Sequence, residues 1–448
     1  MTAVASVSHS VTSPRRILLA SLVGTTIEFF DFYIYATAAV LVFPRLFFPA
    51  SDPTSAVLQS FGTFSIAFFA RPLGAALFGH FGDRMGRKAT LVAALLTMGF
   101  STVTIGLLPT YAAIGIAAPL LLALCRVGQG LGFGGEWGGA VLLATENAPP
   151  GQRSWYGMFP QLGAPIGFVL STGTFLWLTA SVDNEQFFRF AWRIPFLVSA
   201  VLVVVGLYVR LRISETPAFR RIIESGEQVA VPIMTVLTQQ KWNVVLGSFI
   251  ALATFVLFYL MTVFALNWGT LILGYSRNEF LLFQMTGVVL FGAAIPISAL
   301  LADRYGRQRV LVLASVMIGI FGLLMAPLLQ SGGAAGAIAF NVLGLGIMGI
   351  TYGPLGAALA EMFPTQVRYT GTSVAFNLAG ILGASFAPYL ATWLATRYGL
   401  RYVGFYLAVS AALSLAALLM AARRLGDDVP VLAPKAETRG EGTPIGEA

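Results

Sequence analysis

Residues 82–88 read GDRMGRK and directly follow a long apolar stretch. Residues 302–309 read ADRYGRQR and follow another apolar stretch in the same way, with Asp303 lying 220 residues after Asp83. A second echo has an offset of 215 residues and joins three pairs: Glu146 and Glu361, Pro149 and Pro364, and Arg153 and Arg368. The chain is therefore predicted to consist of two repeated halves.

The composition indicates a membrane protein. Mean hydropathy is +0.80 and only 10% of the 448 residues are charged, whereas a soluble domain carries about 25%. Apolar runs of about 20 residues are long enough to cross a bilayer as helices. Their continuity, without polar alternation, argues against a membrane β-barrel. Twelve such spans are predicted, at residues 17–43, 58–79, 89–108, 113–145, 156–179, 191–209, 242–266, 280–301, 310–329, 334–360, 372–395 and 402–422.

The basic residues predict the topology. With both termini in the cytoplasm, 19 of the 27 Lys and Arg residues, Arg210 among them, fall on that side, as the positive-inside rule requires. The net charge of +8 is then a topology signal, and no nucleic-acid partner is expected. We predict a cytoplasmic tail at 1–16, six-helix bundles at 17–209 and 242–424, a central cytoplasmic loop at 210–241 and a disordered tail at 425–448.

Several motifs carry a family resemblance. The segment 79–88, GHFGDRMGRK, resembles the loop 2–3 signature of the major facilitator superfamily. Within it, the chain is similar to the metabolite:proton symporter family, which includes bacterial shikimate, α-ketoglutarate, citrate and proline/betaine transporters. The stretches that carry the resemblance are EFFDF at 28–32, ARPLG at 70–74, GGEWGG at 134–139, WRIPF at 192–196, SETP at 214–217 and EMFPT at 361–365.

The resemblance implies an all-α fold of twelve transmembrane helices, with two six-helix repeats around a central cavity. It implies a multi-pass protein of the bacterial inner membrane that moves a small metabolite and protons by alternating access. We expect a monomer, because one chain supplies both sides of the cavity. With one cysteine and two histidines, no metal site, disulfide or cofactor is expected.

Five ionisable residues interrupt the apolar runs of the first half: Glu28, Asp31, Arg71, Arg126 and Glu136. A charge at mid-bilayer depth costs on the order of 3 kcal/mol or more, so such residues are functional candidates. Asp31 resembles the first-span acid of proton-coupled sugar porters, and Arg126 resembles their fourth-span arginine. We predict that Asp31 carries a proton and that Arg126 moves between Asp31 and a substrate carboxylate. A static Asp31–Arg126 ion pair is the alternative.

The roles of the other buried charges are less constrained. Glu136 is interpreted either as a second proton site or as a structural acceptor, and Glu28 as a proton-site candidate that partners Arg71. Two arginines against three acids give a net charge of −1 when all are ionised. Protonation of one acid suits a neutral or zwitterionic solute, and protonation of two suits a monoanion. The guanidinium matches a carboxylate bidentately, which favours an organic acid over a sugar.

The second half has no ionisable residue deep in a predicted span, so we expect it to shape substrate specificity. The predicted substrate-binding set is Arg71, Arg126, Gln129, Tyr35, Gln161, Asn267, Trp268, Gln284, Tyr352 and Asn377. Each polar member is alternatively a hydrogen bond between packed helices. The sequence Tyr352-Gly353-Pro354 is expected to break the tenth span locally, with a plain kink as the alternative.

The motifs between spans are expected to form a cytoplasmic gate of reversible ion pairs, each worth about 0–1 kcal/mol when exposed. By resemblance, the gate closes the inner side and opens when the two halves rock. The predicted gate residues are Gly82, Asp83, Arg84, Gly86, Arg87, Glu146, Arg153, Glu215, Asp303, Arg304, Arg307, Glu361 and Arg368.

Other functions stay open. A proton antiporter is suggested by residues 163–167, GAPIG, a partial echo of the antiporter signature, and a uniporter is compatible with the same fold. A zwitterionic compatible solute is the alternative substrate for a symporter. A membrane sensor or a membrane enzyme is disfavoured, because the sequence contains no soluble signalling domain, Ser/His/Asp constellation or Gly-rich phosphate loop.

Overall fold

The computed structural model describes residues 14–49, 52–85, 87–211, 232–330 and 333–428, with the side chains of 14, 82–88 and 425–428 left aside. Within these ranges every regular element is helical. The α-helices are α1 Pro14–Leu41, α2 Phe43–Phe47, α3 Pro53–Met85, α4 Arg87–Leu107, α5 Tyr111–Ile114, α6 Ala117–Gly134, α7 Trp137–Thr145, α8 Arg153–Ser181, α9 Asn184–Arg189, α10 Ile194–Leu211, α11 Pro232–Gln239, α12 Lys241–Tyr259, α13 Ala265–Leu271, α14 Arg277–Tyr305, α15 Arg307–Gln330, α16 Ala334–Glu361, α17 Arg368–Gly380, α18 Ala387–Tyr398 and α19 Leu400–Asp428. Short 3₁₀ turns at Ala191–Arg193 and Thr365–Val367 and π-turns at Leu260–Phe264 and Ile381–Ser385 complete the set.

Twelve helical segments in the described ranges are long and apolar enough to cross a membrane, so the predicted twelve spans are confirmed. They extend over 15–41, 53–81, 89–107, 117–145, 153–181, 191–211, 241–271, 277–305, 307–330, 334–361, 365–398 and 400–424. Their outer faces expose large apolar side chains, such as Phe100 at 78% and Leu107 at 66%. Exposed apolar surface of this extent marks contact with lipid.

The spans are interrupted at three places that the sequence did not single out. The fourth span is interrupted between α6 and α7, at Gly135 and Glu136. The seventh and eleventh spans each contain a π-turn, a feature that is frequent at functional sites. The predicted break at Tyr352-Gly353-Pro354 is wrong, because α16 runs through Pro354 without interruption. Neighbouring helices re-satisfy backbone groups that a proline frees in a membrane helix.

Glycines set the distance between the second and fourth spans. A Cβ atom on Gly130 would overlap the Ala67 carbonyl oxygen, and one on Gly134 would overlap that of Arg71. Gly130 and Gly134 are four residues apart and so lie on one face of α6, the small-residue spacing that lets membrane helices pack backbone to backbone. This close approach holds Arg71 in place beside α6.

Gly134→Ala is therefore expected to destabilise the folded protein by about 1–3 kcal/mol, the usual cost of inserting a methyl group into a packed interface. The measurement is the unfolding temperature of the purified protein in detergent. Gly173→Ala is the matched control, because a Cβ there meets nothing within 4 Å. Equal unfolding temperatures for the two variants would contradict the close-packing interpretation.

The first six spans pack mainly on one another, as do the last six, and α8 with α3 on one side meets α14, α16 and α17 on the other. The interior between these two sets of helices holds the cavities and most of the buried polar residues. The predicted domain boundaries fall near helix ends, except that Arg210 belongs to α10, Pro232–Gln239 is helical, and α19 continues to Asp428.

Candidate functional site

A cavity of about 430 Å³ lies where the two sets of helices meet. Each of its lining residues is less than a tenth exposed, so the cavity is occluded. The first, second, fourth, fifth, seventh, tenth and eleventh spans contribute. The lining residues are Phe29, Tyr33, Arg71, Phe133, Ala164, Thr254, Phe255, Phe258, Tyr259, Met348, Tyr352, Leu355 and Phe376.

Arg71 is the one charged residue of this lining. Its guanidinium carbon lies over three aromatic rings, at 3.9 Å from the centre of Phe133, 4.2 Å from Phe68 and 4.7 Å from Phe32. Cation–π contacts of this kind stabilise a desolvated arginine but satisfy none of its hydrogen bonds. The guanidinium shares a side-chain hydrogen bond with Tyr259, whereas Nε and Nη2 have no hydrogen-bond partner among the described residues, so this edge of the guanidinium is available to an anion.

A second cavity of about 200 Å³ lies next to the first, and Arg71 and Phe133 line both. Its other charged residues are Asp31 and Arg126. The Phe32 ring stands between the two arginines, with the guanidinium carbon of Arg126 5.3 Å from its centre. The structure thus brings three of the five predicted buried charges around one small space.

Asp31 and Arg126 do not form a direct ion pair in this structure, so the static pair considered from sequence is absent. Asp31 accepts a hydrogen bond of 2.5 Å from the Ser199 hydroxyl, and its second carboxylate oxygen has no described partner. The acid is 1% exposed. An ionised carboxylate is costly in such a place unless it is paired or fully hydrogen-bonded, so Asp31 is a candidate proton site.

Arg126 is held by other groups. It donates to the Gln129 side-chain oxygen at 2.6 Å and to the Phe64 carbonyl at 3.1 Å, and its guanidinium carbon lies 3.8 Å from the centre of the Tyr35 ring. Gln129 in turn donates to the Thr102 hydroxyl at 2.7 Å. No carboxylate neutralises Arg126 in the described part of the chain, so its charge is available to a ligand or to Asp31.

Glu28 and Glu136 belong to a buried cluster around Arg210, and Glu28 also interacts electrostatically with Arg71 and Asp31. Arg210 forms an ion pair with Glu136 and also donates to the Leu91 carbonyl at 2.8 Å. It is the cation that acts most strongly on Glu28. The Glu28 carboxylate has no hydrogen-bond partner among the residues described.

Two predictions need correction here. Arg210 was assigned to the cytoplasmic loop, but it is 6% exposed and pairs inside the first half. The predicted partnership of Glu28 with Arg71 is not formed as an ion pair, and Arg210 is the stronger neighbour of Glu28. The buried acid of the GGEWGG motif indicated that a cation was needed, but the sequence did not identify Arg210 as that cation. When Arg210 is included, three buried arginines accompany three buried acids, and the net charge of the fully ionised set is zero rather than −1.

Most of the predicted polar substrate contacts are occupied by protein groups. Tyr35 donates to Thr63, Gln161 to the Tyr352 carbonyl, and Asn377 to the Gly134 carbonyl. Gln284 donates to the carbonyls of Met261 and Thr262, inside the π-turn of the seventh span.

Four of the ten predicted substrate-binding residues line a cavity. Arg71 and Tyr352 line the larger one, and Arg126 and Gln129 line the smaller one. The other six line neither: Tyr35, Gln161, Asn267, Trp268, Gln284 and Asn377. Sequence reasoning missed Tyr33 and the phenylalanines of the lining, because aromatic residues are common in every membrane helix.

At the end of the molecule that carries Pro14, an ion-pair network joins the two halves. Asp303 accepts hydrogen bonds of 2.9 Å from the backbone N–H groups of Ser154 and Trp155, at the start of α8. Glu361 pairs with Arg153 at 3.2 Å and with Arg307 at 2.5 Å. A carboxylate at a helix N-terminus is favoured by the unpaired N–H groups and the helix dipole, so Asp303 closes this end.

The remaining gate residues are placed as follows. Glu146 ends α7, Arg304 lies over the ring of Tyr305, and Arg368 donates to the Phe363 carbonyl. Outside the described residues or side chains lie Gly82, Asp83, Arg84, Gly86, Arg87 and Glu215. At the opposite end, Thr179 donates to Asn278 at 2.7 Å across the two halves, so contacts are present at both ends of the cavity.

Comparison with known proteins agrees with this architecture. Residues 17–422 match the family model of the sugar (and other) transporters. The chain belongs to that transporter family, within the major facilitator superfamily. It is 58% identical to the inner membrane metabolite transport protein YhjE of Escherichia coli, covering 92% of this chain and 94% of that one. It is 35% identical to the shikimate transporter of the same organism, covering 92% and 95%.

The solved structures agree on the fold of this transporter. The proton:xylose symporter XylE superposes with a TM-score of 0.73 over 93% of this chain and 96% of that one, at 18% identity. The resemblance stated from the sequence motifs is thereby confirmed, and so is the fold class. The chain is a membrane transporter and not an enzyme.

Proposed function

We propose that this protein is a proton-coupled symporter that imports a small organic acid by alternating access. One observation carries the proposal: two buried arginines that form no ion pair with a described carboxylate, Arg71 and Arg126, line one cavity together with a buried acid, Asp31. The arginines supply the binding energy for a carboxylate, and the acid supplies a proton site that experiences the electrostatic field of the same arginines. Relatives named as metabolite and shikimate transporters support a metabolite substrate.

Charge balance supports a monoanion moved together with one proton. The six buried ionisable residues are neutral as a set when all are ionised, so one proton on an acid leaves a charge of +1. A bound monocarboxylate restores neutrality in the low-dielectric interior, where uncompensated charge is most costly. Loading of the proton and of the substrate therefore favour each other, which is the requirement for symport.

The position of Asp31 allows its protonation to depend on the conformation of the transporter. Its hydrogen bond comes from Ser199 in the sixth span, whereas the two arginines lie in the second and fourth spans. Rearrangement of these helices changes how close the acid lies to each cation. A nearby arginine favours the ionised acid and its removal favours the protonated acid, so helix movement releases or captures the proton.

The proposal includes the membrane in which the protein resides and the helix bundles that move during transport. The inner membrane is supported by the name of the 58% identical relative, and cytoplasmic termini by the distribution of basic residues. The bundles 17–209 and 242–424 would rock about the occluded cavity as a monomer. The network around Asp303 and Glu361 would be the inner gate.

The test is uptake into liposomes under an imposed inward proton gradient, with internal pH and labelled solute followed together. We expect one carboxylate to enter with protons. Arg71→Gln and Arg126→Gln are each expected to reduce uptake at low substrate concentration on the order of 100-fold, since charge-assisted carboxylate bonds contribute up to about 3 kcal/mol each. The matched control is Arg277→Gln, which also removes an arginine from an aromatic face, that of Phe187, but outside both cavities.

Other outcomes would overturn the proposal. Entry of a zwitterion and of no anion would indicate that the arginines serve the protein alone. Protons leaving as the solute enters would indicate an antiporter. Substrate uptake that never responds to the gradient would indicate a uniporter.

A further inference from the structure

We propose that the substrate body is an apolar ring, so that the transported species is a ring-bearing monocarboxylate such as a benzoate or cyclohexanecarboxylate. This inference rests on the proposed function and adds the substrate class. It comes from the larger cavity, whose lining is aromatic to a degree that a hydrophilic metabolite does not require.

Eight of the thirteen lining residues are aromatic. Phe29 stacks on Tyr33 with ring centres 5.6 Å apart, and Tyr33 faces Phe258 at 5.5 Å. Phe29 and Phe258 come from the first and seventh spans, and Tyr352 of the tenth span meets Phe29 edge-on at 6.5 Å. The two halves therefore supply adjoining walls of one aromatic box, which a planar or alicyclic ring can fill with offset or edge contacts.

The polar groups of the box are few. They are the Arg71 fork, the three tyrosine hydroxyls and Thr254, whose hydroxyl already donates to Thr351 at 3.1 Å. One carboxylate is matched by Arg71, but a tricarboxylate would need further cations in the lining. A polyol would leave buried hydroxyls unpaired, each at a cost of about 1–3 kcal/mol.

A quaternary ammonium zwitterion fits less well, although aromatic cages bind such cations. The lining contains no acid, and the Arg71 guanidinium already covers the ring of Phe133, one of the lining residues. A ligand ammonium near that guanidinium would be repelled. A neutral ring carries no such penalty.

The geometry also gives the orientation. Arg71 stands in the wall between the two cavities, so a carboxylate bound there points toward Asp31 and Arg126. The ring then extends into the aromatic box between the halves. Closure around the ring draws the seventh and tenth spans toward the first, so an apolar body favours the occluded state.

The test is equilibrium binding to the purified, full-length protein in lipid nanodiscs. The reporter is the fluorescence of Trp137, whose ring stacks on that of the cavity residue Phe376 with centres 3.4 Å apart; calorimetry serves as the independent reading. The probes are benzoate, cyclohexanecarboxylate, acetate, citrate, glycine betaine and benzamide. We expect benzoate and cyclohexanecarboxylate to bind at least tenfold more tightly than acetate, citrate, betaine or benzamide.

Phe258→Leu tests the box itself. It keeps an apolar side chain but removes a ring face, and we expect benzoate affinity to fall about tenfold while acetate affinity is unchanged. Phe321→Leu is the matched control, since Phe321 is an equally buried ring that packs on Phe340 away from both cavities. Equal losses in both variants would contradict a specific role for the box.

The two proposals fail separately. If acetate, citrate or betaine binds as tightly as benzoate, the ring inference is wrong even where proton-coupled uptake is intact. If benzoate binds and Phe258→Leu weakens it, but no proton moves with it in liposomes, the ring inference stands and symport falls.

Discussion

Asp31→Asn is expected to abolish proton-driven accumulation while sparing substrate exchange. With one proton coupled to one monoanion, each unit of imposed pH difference supports about tenfold accumulation, because 1.4 kcal/mol corresponds to a factor of ten. A gradient of about two units therefore supports roughly 100-fold accumulation in the native protein, and the variant should only equilibrate its substrate. Asparagine keeps the size of the side chain and can accept the Ser199 hydrogen bond, so folding should survive.

The measurement is paired: accumulation under the proton gradient, and exchange of labelled for unlabelled substrate without one. Exchange should persist in Asp31→Asn, because Arg71 and Arg126 still bind the carboxylate. Asp183→Asn is the matched control: Asp183 is the exposed N-cap of α9, and asparagine caps a helix about as well as aspartate does. Accumulation that continues in Asp31→Asn would place the coupling proton elsewhere, with Glu28 as the next candidate.

Some of this molecule was predictable because bilayer physics acts on short stretches of sequence. In a bilayer, twenty consecutive apolar residues must form their backbone hydrogen bonds among themselves, so such a run forms a helix. The repeat of GDRMGRK by ADRYGRQR then sufficed to predict two halves. The buried charges were recognisable for the same reason, because placing Asp31, Arg71 or Arg126 in the hydrocarbon of the bilayer costs free energy.

The pairing of those charges was not predictable, since position along a helix gives a face and not a partner. Arg210 follows the predicted sixth span by one residue, where a basic residue ordinarily marks topology, and only the structure turns it inward to Glu136. Pro354 looked like a break, yet α16 passes through it, and the π-turns formed at sequences without proline. The aromatic box depends on five spans that meet at one point, which no local pattern encodes.

The buried ion pair of Arg210 with Glu136 leads to a second large effect. Arg210→Met is expected to destabilise the folded protein by about 3–5 kcal/mol, because it leaves the Glu136 carboxylate buried without its cation. Glu28 loses its strongest cationic neighbour at the same time. The readout is the unfolding temperature in detergent, and Arg401→Met, which removes an exposed arginine, should leave that temperature unchanged.

The double variant Arg210→Met/Glu136→Gln separates pairing from packing. If the loss comes from the orphaned charge, neutralising Glu136 should recover most of the stability, and the two substitutions should be strongly non-additive. Additive losses would show that Arg210 acts through its packing and its hydrogen bond to Leu91 instead. Because Arg210, Glu136 and Glu28 line neither cavity, the double variant should retain proton-driven uptake through Asp31. Loss of proton coupling in a double variant that is otherwise stable would instead make this cluster a part of the proton path.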